Sequence, residues 1–166
     1  MNKEILFKAK QLDNGKWVEG YYCKLDETTY CISEDYERYP VPTHHYILHE
    51  TITDWGLPNR FLQFEINPDT LCQFTGLTDK NGKKIWENDI LRGYQYPYRS
   101  DGNDNYFAEV TWFENCPAFG IYTFKNPKSN VCGISEGNTE FMENWNSEDW
   151  EVIGNIFDNA ELLEVE

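Results

Sequence analysis

The stretch DKNGKKIWENDIL, residues 79–91, decides how this chain folds. Asn81 and Gly82 both tolerate positive φ, which tight hairpin turns require. The flanking CQFTGLT (72–78) and KKIWENDIL (83–91) carry the apolar and β-branched residues of two antiparallel strands. Lys83 and Lys84 fall near the tip in solvent, and Ile85 and Trp86 begin the return strand. Glu87, Asn88 and Asp89 are expected to bond the backbone of the following bend, as short polar side chains do in Asx turns. The acids of this stretch are therefore expected to shape a hairpin rather than to carry out catalysis.

The same chemistry occurs nearer the start. ILFKAKQ (5–11) alternates Ile5, Phe7 and Ala9 with Lys8 and Lys10, the period of a half-buried strand. Asp13-Asn14-Gly15 closes it, and KWVEGYYCK (16–24) returns. Residues 26–70 contain Pro40, Pro42, Pro58 and Pro68, which predicts loops, edge strands and one short helix, because proline blocks central strands. Ile66-Asn67-Pro68-Asp69 is the expected joint, giving an N-terminal β-rich portion (1–66) and a C-terminal portion (67–166). In the latter, AEVTWFE (108–114) and GIYTF (120–124) read as strands. WEVIGNIF (150–157) is apolar on both faces, as in a central strand of a closed sheet. Strands at this spacing between Gly and Asn turns suggest a small barrel or a sandwich.

Bulk properties narrow the function classes. The chain has 166 residues, of which 40% are hydrophobic and 16% aromatic, enough for a buried core. Its 14 Lys and Arg stand against 29 Asp and Glu, a formal charge of −15. General DNA binding is not expected, since that affinity comes from cations neutralising phosphates. The acidity either keeps the protein soluble or imitates nucleic acid toward a basic partner. The opening MNKEILFKAKQLDNG has no apolar signal core, and no apolar run is long enough to span a membrane. Five scattered cysteines fit free thiols in a reducing cytoplasm, with Cys23, Cys72 and Cys132 as core residues.

Gln73, Phe74, Thr75, Gly76, Leu77, Asp79, Gly82, Ile85, Trp86, Glu87 and Asp89, with Val152, Ile153, Gly154, Asn155 and Ile156 near the end, make a specific pattern. On these residues the chain resembles the YopX family of phage and prophage proteins. Asn88 stands where the family usually has glycine, and Ala160 where it often has proline. The resemblance implies a mainly β protein, with a small SH3-like barrel in the C-terminal part and a smaller β-rich N-terminal portion. It implies an accessory role in a phage or prophage and no defined chemistry.

Candidate sites follow from residue types. His45 and His49 are four apart, as zinc ligands on a helix would be, but Tyr46-Ile47-Leu48 favours a strand, on which they share a face without converging. No metal site and no cofactor are expected. Arg92-Gly93-Tyr94-Gln95-Tyr96-Pro97-Tyr98-Arg99 interleaves aromatics and guanidinium groups, so Arg92, Tyr94, Tyr96, Tyr98 and Arg99 are candidate binding residues. Glu140, Glu143, Glu148 and Asp149 form a candidate acidic surface. The sequence assembles no catalytic constellation. The expected function is a non-catalytic module binding an unidentified host or phage macromolecule. The alternatives are an acidic nucleic-acid mimic, or a small-ligand binder or enzyme using the tyrosine loop. Edge strands make a homo-oligomer a further expectation.

Overall fold

The computed structural model describes residues 4–94, 105–114, 117–125, 138–142 and 149–163. The chain is mainly β and divides into two compact units, Met1–Gln73 and Phe74–Glu166.

In the first unit, β1 (Phe7–Lys10) and β2 (Trp17–Asp26) form the first expected hairpin, in register Phe7↔Gly20 and Ala9↔Val18. Gly15 turns it with φ +68. A short helix α1 (Ser33–Arg38) precedes β3 (Thr43–Thr51) and β4 (Arg60–Glu65). The sheet order is β4-β3-β2-β1, with the start of β5 (Cys72–Thr78) beside β1 through Phe7↔Gln73 and Lys8↔Cys72. The helix matches the sequence reading, whereas β3 is an interior strand rather than an edge. The prolines do not prevent this because Pro40 and Pro42 lie before β3 and Pro58 before β4.

One face of this sheet builds the core, where Ala9, Val18, Ile47 and Ile66 are buried against Phe7, Tyr22, Phe64 and Leu71. Ile47 is fully buried, a contribution of roughly 2 kcal/mol from its side chain. Gly20 lets β2 and β3 close: a Cβ there would sit 2.1 Å from the Leu48 carbonyl oxygen. The chain around the expected joint stays with this unit. Asn67 N–H donates to the Lys10 carbonyl at 2.8 Å, and the Thr70 hydroxyl accepts from Lys10 N–H at 2.9 Å. A 3-10 turn at Pro68–Thr70, with Asn67 Oδ1 accepting from Asp69 N–H, leads into β5.

In the second unit, β5 pairs with β6 (Lys84–Trp86) as the second expected hairpin, through Phe74↔Trp86 and Thr78↔Lys84. Then come β7 (Asp89–Tyr94), β8 (Asn105–Phe113), β9 (Ala118–Lys125), β10 (Asn138–Phe141) and β11 (Trp150–Asn155). Their antiparallel sheet has the order β10-β9-β8-β7-β11. Its core gathers Ile85, Leu91, Ala108, Val110, Ile121, Met142, Trp150 and Val152. Among the described residues this sheet is open, with β10 and β11 at its edges. The barrel closure implied by the resemblance is not seen there, and β11 is not central. Its apolar pattern arises instead because Trp150 and Val152 face the core while Gly154 lies against the Asn159 side chain.

Candidate binding surface

The 79–91 hairpin is held by its own acids. Asp79 is buried, and its Oδ1 accepts from the amides of Asn81 at 2.8 Å and Lys83 at 2.9 Å. Its Oδ2 accepts from Val152 N–H at 3.0 Å, tying the turn to β11. Burial alone would raise this carboxyl's pKa, but the amides of Val152, Lys83 and Asn81 outweigh it and leave the pKa below its ordinary value. Asp89 Oδ2 accepts from Trp86 N–H at 2.9 Å, and Asn88 adopts φ +64. The positive φ explains how Asn serves in the place of glycine. Lys84 is not a freely solvated tip residue: its ammonium lies 5.6 Å from the Trp86 ring centroid and 5.8 Å from that of Phe74.

Arg92 lies opposite Glu151 in the β7–β11 register, and its Nη2 meets Glu151 Oε2 at 2.8 Å. Lys80 Nζ reaches the same oxygen at 2.8 Å. Hydrogen bonds from Lys80 and then Arg92 hold the Glu151 carboxyl down at about 2. Gly93 follows because a Cβ there would come within 2.9 Å of the Trp150 ring. Tyr94 ends β7. Its side chain, and the whole of Tyr96, Tyr98 and Arg99, lie outside the described residues. Of the acidic candidates, Glu140 belongs to β10 by its backbone and Asp149 directly precedes β11. Glu143 and Glu148 lie outside the described residues, as does Cys132.

The histidines all lie on β3. His45 Nδ1 is 2.7 Å from the Tyr22 hydroxyl, and His49 Nδ1 donates to the Glu19 carbonyl oxygen at 2.7 Å. Because a carbonyl oxygen only accepts, His49 Nδ1 carries the proton. His44 points to the other face, with Nδ1 2.6 Å from Glu65 and Nε2 3.0 Å from Glu27. These two carboxylates, Glu65 first, raise the His44 pKa. Cys72 is buried, but Cys23 is exposed on the outer face, contrary to its core assignment. The alternation of β2 had to be counted through Gly20 to place it there.

The same outer face exposes an apolar surface that the sequence reading did not single out. Tyr21, Leu48 and Gln63 are cross-strand neighbours, which puts Phe61 on their face. Tyr21 is 42% exposed and Phe61 59%, with their rings edge to face at 6.1 Å. The connection between β3 and β4 exposes apolar side chains as well, with Ile52 90% and Trp55 98% exposed. The connection is ordered by its own bonds. Asp54 Oδ1 accepts from Trp55 N–H, Leu57 N–H donates to the Asp54 carbonyl, and the Thr53 hydroxyl lies 2.8 Å from the Pro58 carbonyl. Gly56 supplies the φ of +80 that the turn needs. A signal was present in the sequence: ITDWGLP places Trp and two aliphatics in a seven-residue turn segment, where no core position is available.

The sequence profile of the family described as YopX protein matches residues 6–164. The chain belongs to the YopX family. The match covers both hairpins and β11 (Trp150–Asn155). A crystal structure of protein EF1440 from Enterococcus faecalis is similar to this YopX-family chain at 17% identity. The similarity covers 98% of this chain and 99% of that one, with a TM-score of 0.49. No curated protein is detectably similar to it.

Proposed function

We propose that this YopX-family protein is a non-catalytic module that binds another protein through the outer face and β3–β4 turn of its first unit. The observation that carries this reading is Trp55, 98% exposed on a turn already fixed by hydrogen bonds. Leaving a Trp in water forgoes roughly 2–3 kcal/mol of burial. Presenting it on an ordered turn lowers the entropy cost of using it as an anchor, and Trp is enriched among residues that dominate binding energy. Tyr21, Phe61 and Ile52 are further exposed apolar side chains of the same unit. The formal charge of −15 favours a protein partner over a nucleic acid. The accessory role in a phage or prophage, and an SH3-like second unit, belong to this proposal as its context.

The test is quantitative capture from bacterial lysate with wild-type protein and with Trp55→Ala. A partner retained by the wild type and lost with the variant, at equal thermal stability, supports the reading. Equal capture by both proteins overturns it.

A further inference from the structure

We infer that β4 is a receptor edge, which takes an extended segment of the partner as an added strand, and that this segment turns both apolar and basic residues to the outer face. The inference rests on the proposed protein-binding role and names how that surface is used.

Strand β4 ends the sheet of the first unit, beyond β3. Its pairing with β3 is regular from Thr51↔Arg60 to Tyr46↔Glu65, with no bulge and no proline in Arg60–Glu65. Ile66 N–H donates to the His45 carbonyl at 2.9 Å, continuing that register. In an antiparallel ladder alternate residues bond the same neighbour. The even-numbered residues of β4 therefore turn their backbone groups toward β3, and Phe61, Gln63 and Glu65 turn theirs away. The Glu65 carbonyl confirms this direction, since it accepts from Leu12 N–H at 3.0 Å on the far side. That leaves the N–H and C=O of Phe61 and Gln63 aimed off the sheet, with no bond to any described residue. Natural edges are usually blunted by proline, a bulge or a central lysine, and β4 has none of these.

The side chains specify what would pair there. Phe61 and Gln63 project onto the exposed outer face, next to Tyr21, so alternate residues of an added strand would extend this apolar face. Between Thr43 and Ile66 the carboxylates are Glu50, Asp54 and Glu65, and the one lysine or arginine is Arg60. Glu50 lies directly across from Phe61, and Glu65 closes the end of the strand. These acids share the outer face with Phe61 and Gln63, so lysine or arginine among the outward-facing residues of the incoming strand would meet them. A second copy fits poorly, because each chain brings a charge of −15 to the contact.

The probe is a panel of synthetic octapeptides in which every second residue is drawn from Lys, Arg, Val, Ile, Phe and Tyr and the residues between are Thr, titrated into the full chain. Fluorescence anisotropy reads binding, and hydrogen exchange reads the Phe61 and Gln63 amides. Bound peptide should slow exchange at both amides, and the same peptide N-methylated at alternate residues should not bind. Gln63→Pro removes an outward N–H but no bond to β3, so it should fold and weaken binding about tenfold or more. Binding that survives Gln63→Pro and N-methylation but is lost in Trp55→Ala overturns strand addition and leaves the surface reading standing. Binding indifferent to Gln63→Pro, N-methylation and Trp55→Ala overturns both. No protection of Phe61 and Gln63 by any peptide overturns the inference. Protection that instead grows with protein concentration alone makes a second copy the occupant, and overturns the assignment to a basic partner.

Discussion

Asp79 and Val152 are 73 residues apart in sequence and are joined by one hydrogen bond, from the Val152 amide to Asp79 Oδ2 at 3.0 Å. The same carboxylate holds two amides of its own turn, so one buried side chain sets both the hairpin and its attachment to β11. Both segments lie within the part of the chain that matches the family.

Replacing Asp79 should be costly. Asp79→Ala strands three amides and should lower stability by roughly 3 kcal/mol, the range for bonds to a charged acceptor. The pH dependence has a definite sign. A carboxyl whose pKa is lower folded than unfolded stabilises fully above its unfolded value, near 3.8, and loses that contribution as pH falls through the folded value. Chemical denaturation of both proteins should therefore show a gap at neutral pH that narrows below about pH 3.8.

Glu151 receives two cations on one oxygen. Its carboxyl should titrate by NMR near the value of about 2, well below an ordinary glutamate. Arg92→Ala should move that midpoint upward, while costing about 1 kcal/mol or less of stability, because the pair is partly open to solvent.

His44 is raised by Glu65 and Glu27, so its stabilising contribution is complete below the unfolded value of 6.5 and is lost as pH rises through the higher folded value. Imidazole proton shifts should report a midpoint above 6.5 in the wild type, displaced downward in Glu65→Gln more than in Glu27→Gln.

Gly20 should not accept even a methyl group. Gly20→Ala would place Cβ 2.1 Å from a backbone oxygen of β3, and neither strand has a flexible side chain there to move aside. A loss of roughly 1–3 kcal/mol, the range for overpacking, should appear as a lowered melting temperature.

Local chemistry made much of this fold legible. Asn81-Gly82 and Asn14-Gly15 marked both hairpins, and the alternation of Phe7 and Ala9 marked β1, because turn φ and strand period act over a few residues. Strand position within a sheet depends on distant partners, which is why β3 was expected at an edge and β11 at a centre. Glu87, Asn88 and Asp89 were read as bonding the backbone of their bend, and Asp89 does so, whereas the larger role of Asp79 in its own turn and at Val152 was not singled out. The exposed surface was less legible. Trp55, Tyr21 and Phe61 look like core residues in a list, and only the register of β2, β3 and β4 puts the last two on the outer face.

Trp55 separates stability from binding. Because its side chain is almost wholly in solvent, Trp55→Ala should change unfolding free energy by no more than about 0.5 kcal/mol. Partner affinity should fall tenfold or more, about 1.4 kcal/mol or above.

The most direct measurement is a hydrogen–deuterium exchange footprint of the protein with its captured partner, compared with the protein alone. The account predicts slowed exchange concentrated in residues 52–65, the β3–β4 turn and β4, with the second unit unchanged. Slowed exchange confined to residues 74–163, with the turn and β4 unaffected, would contradict it.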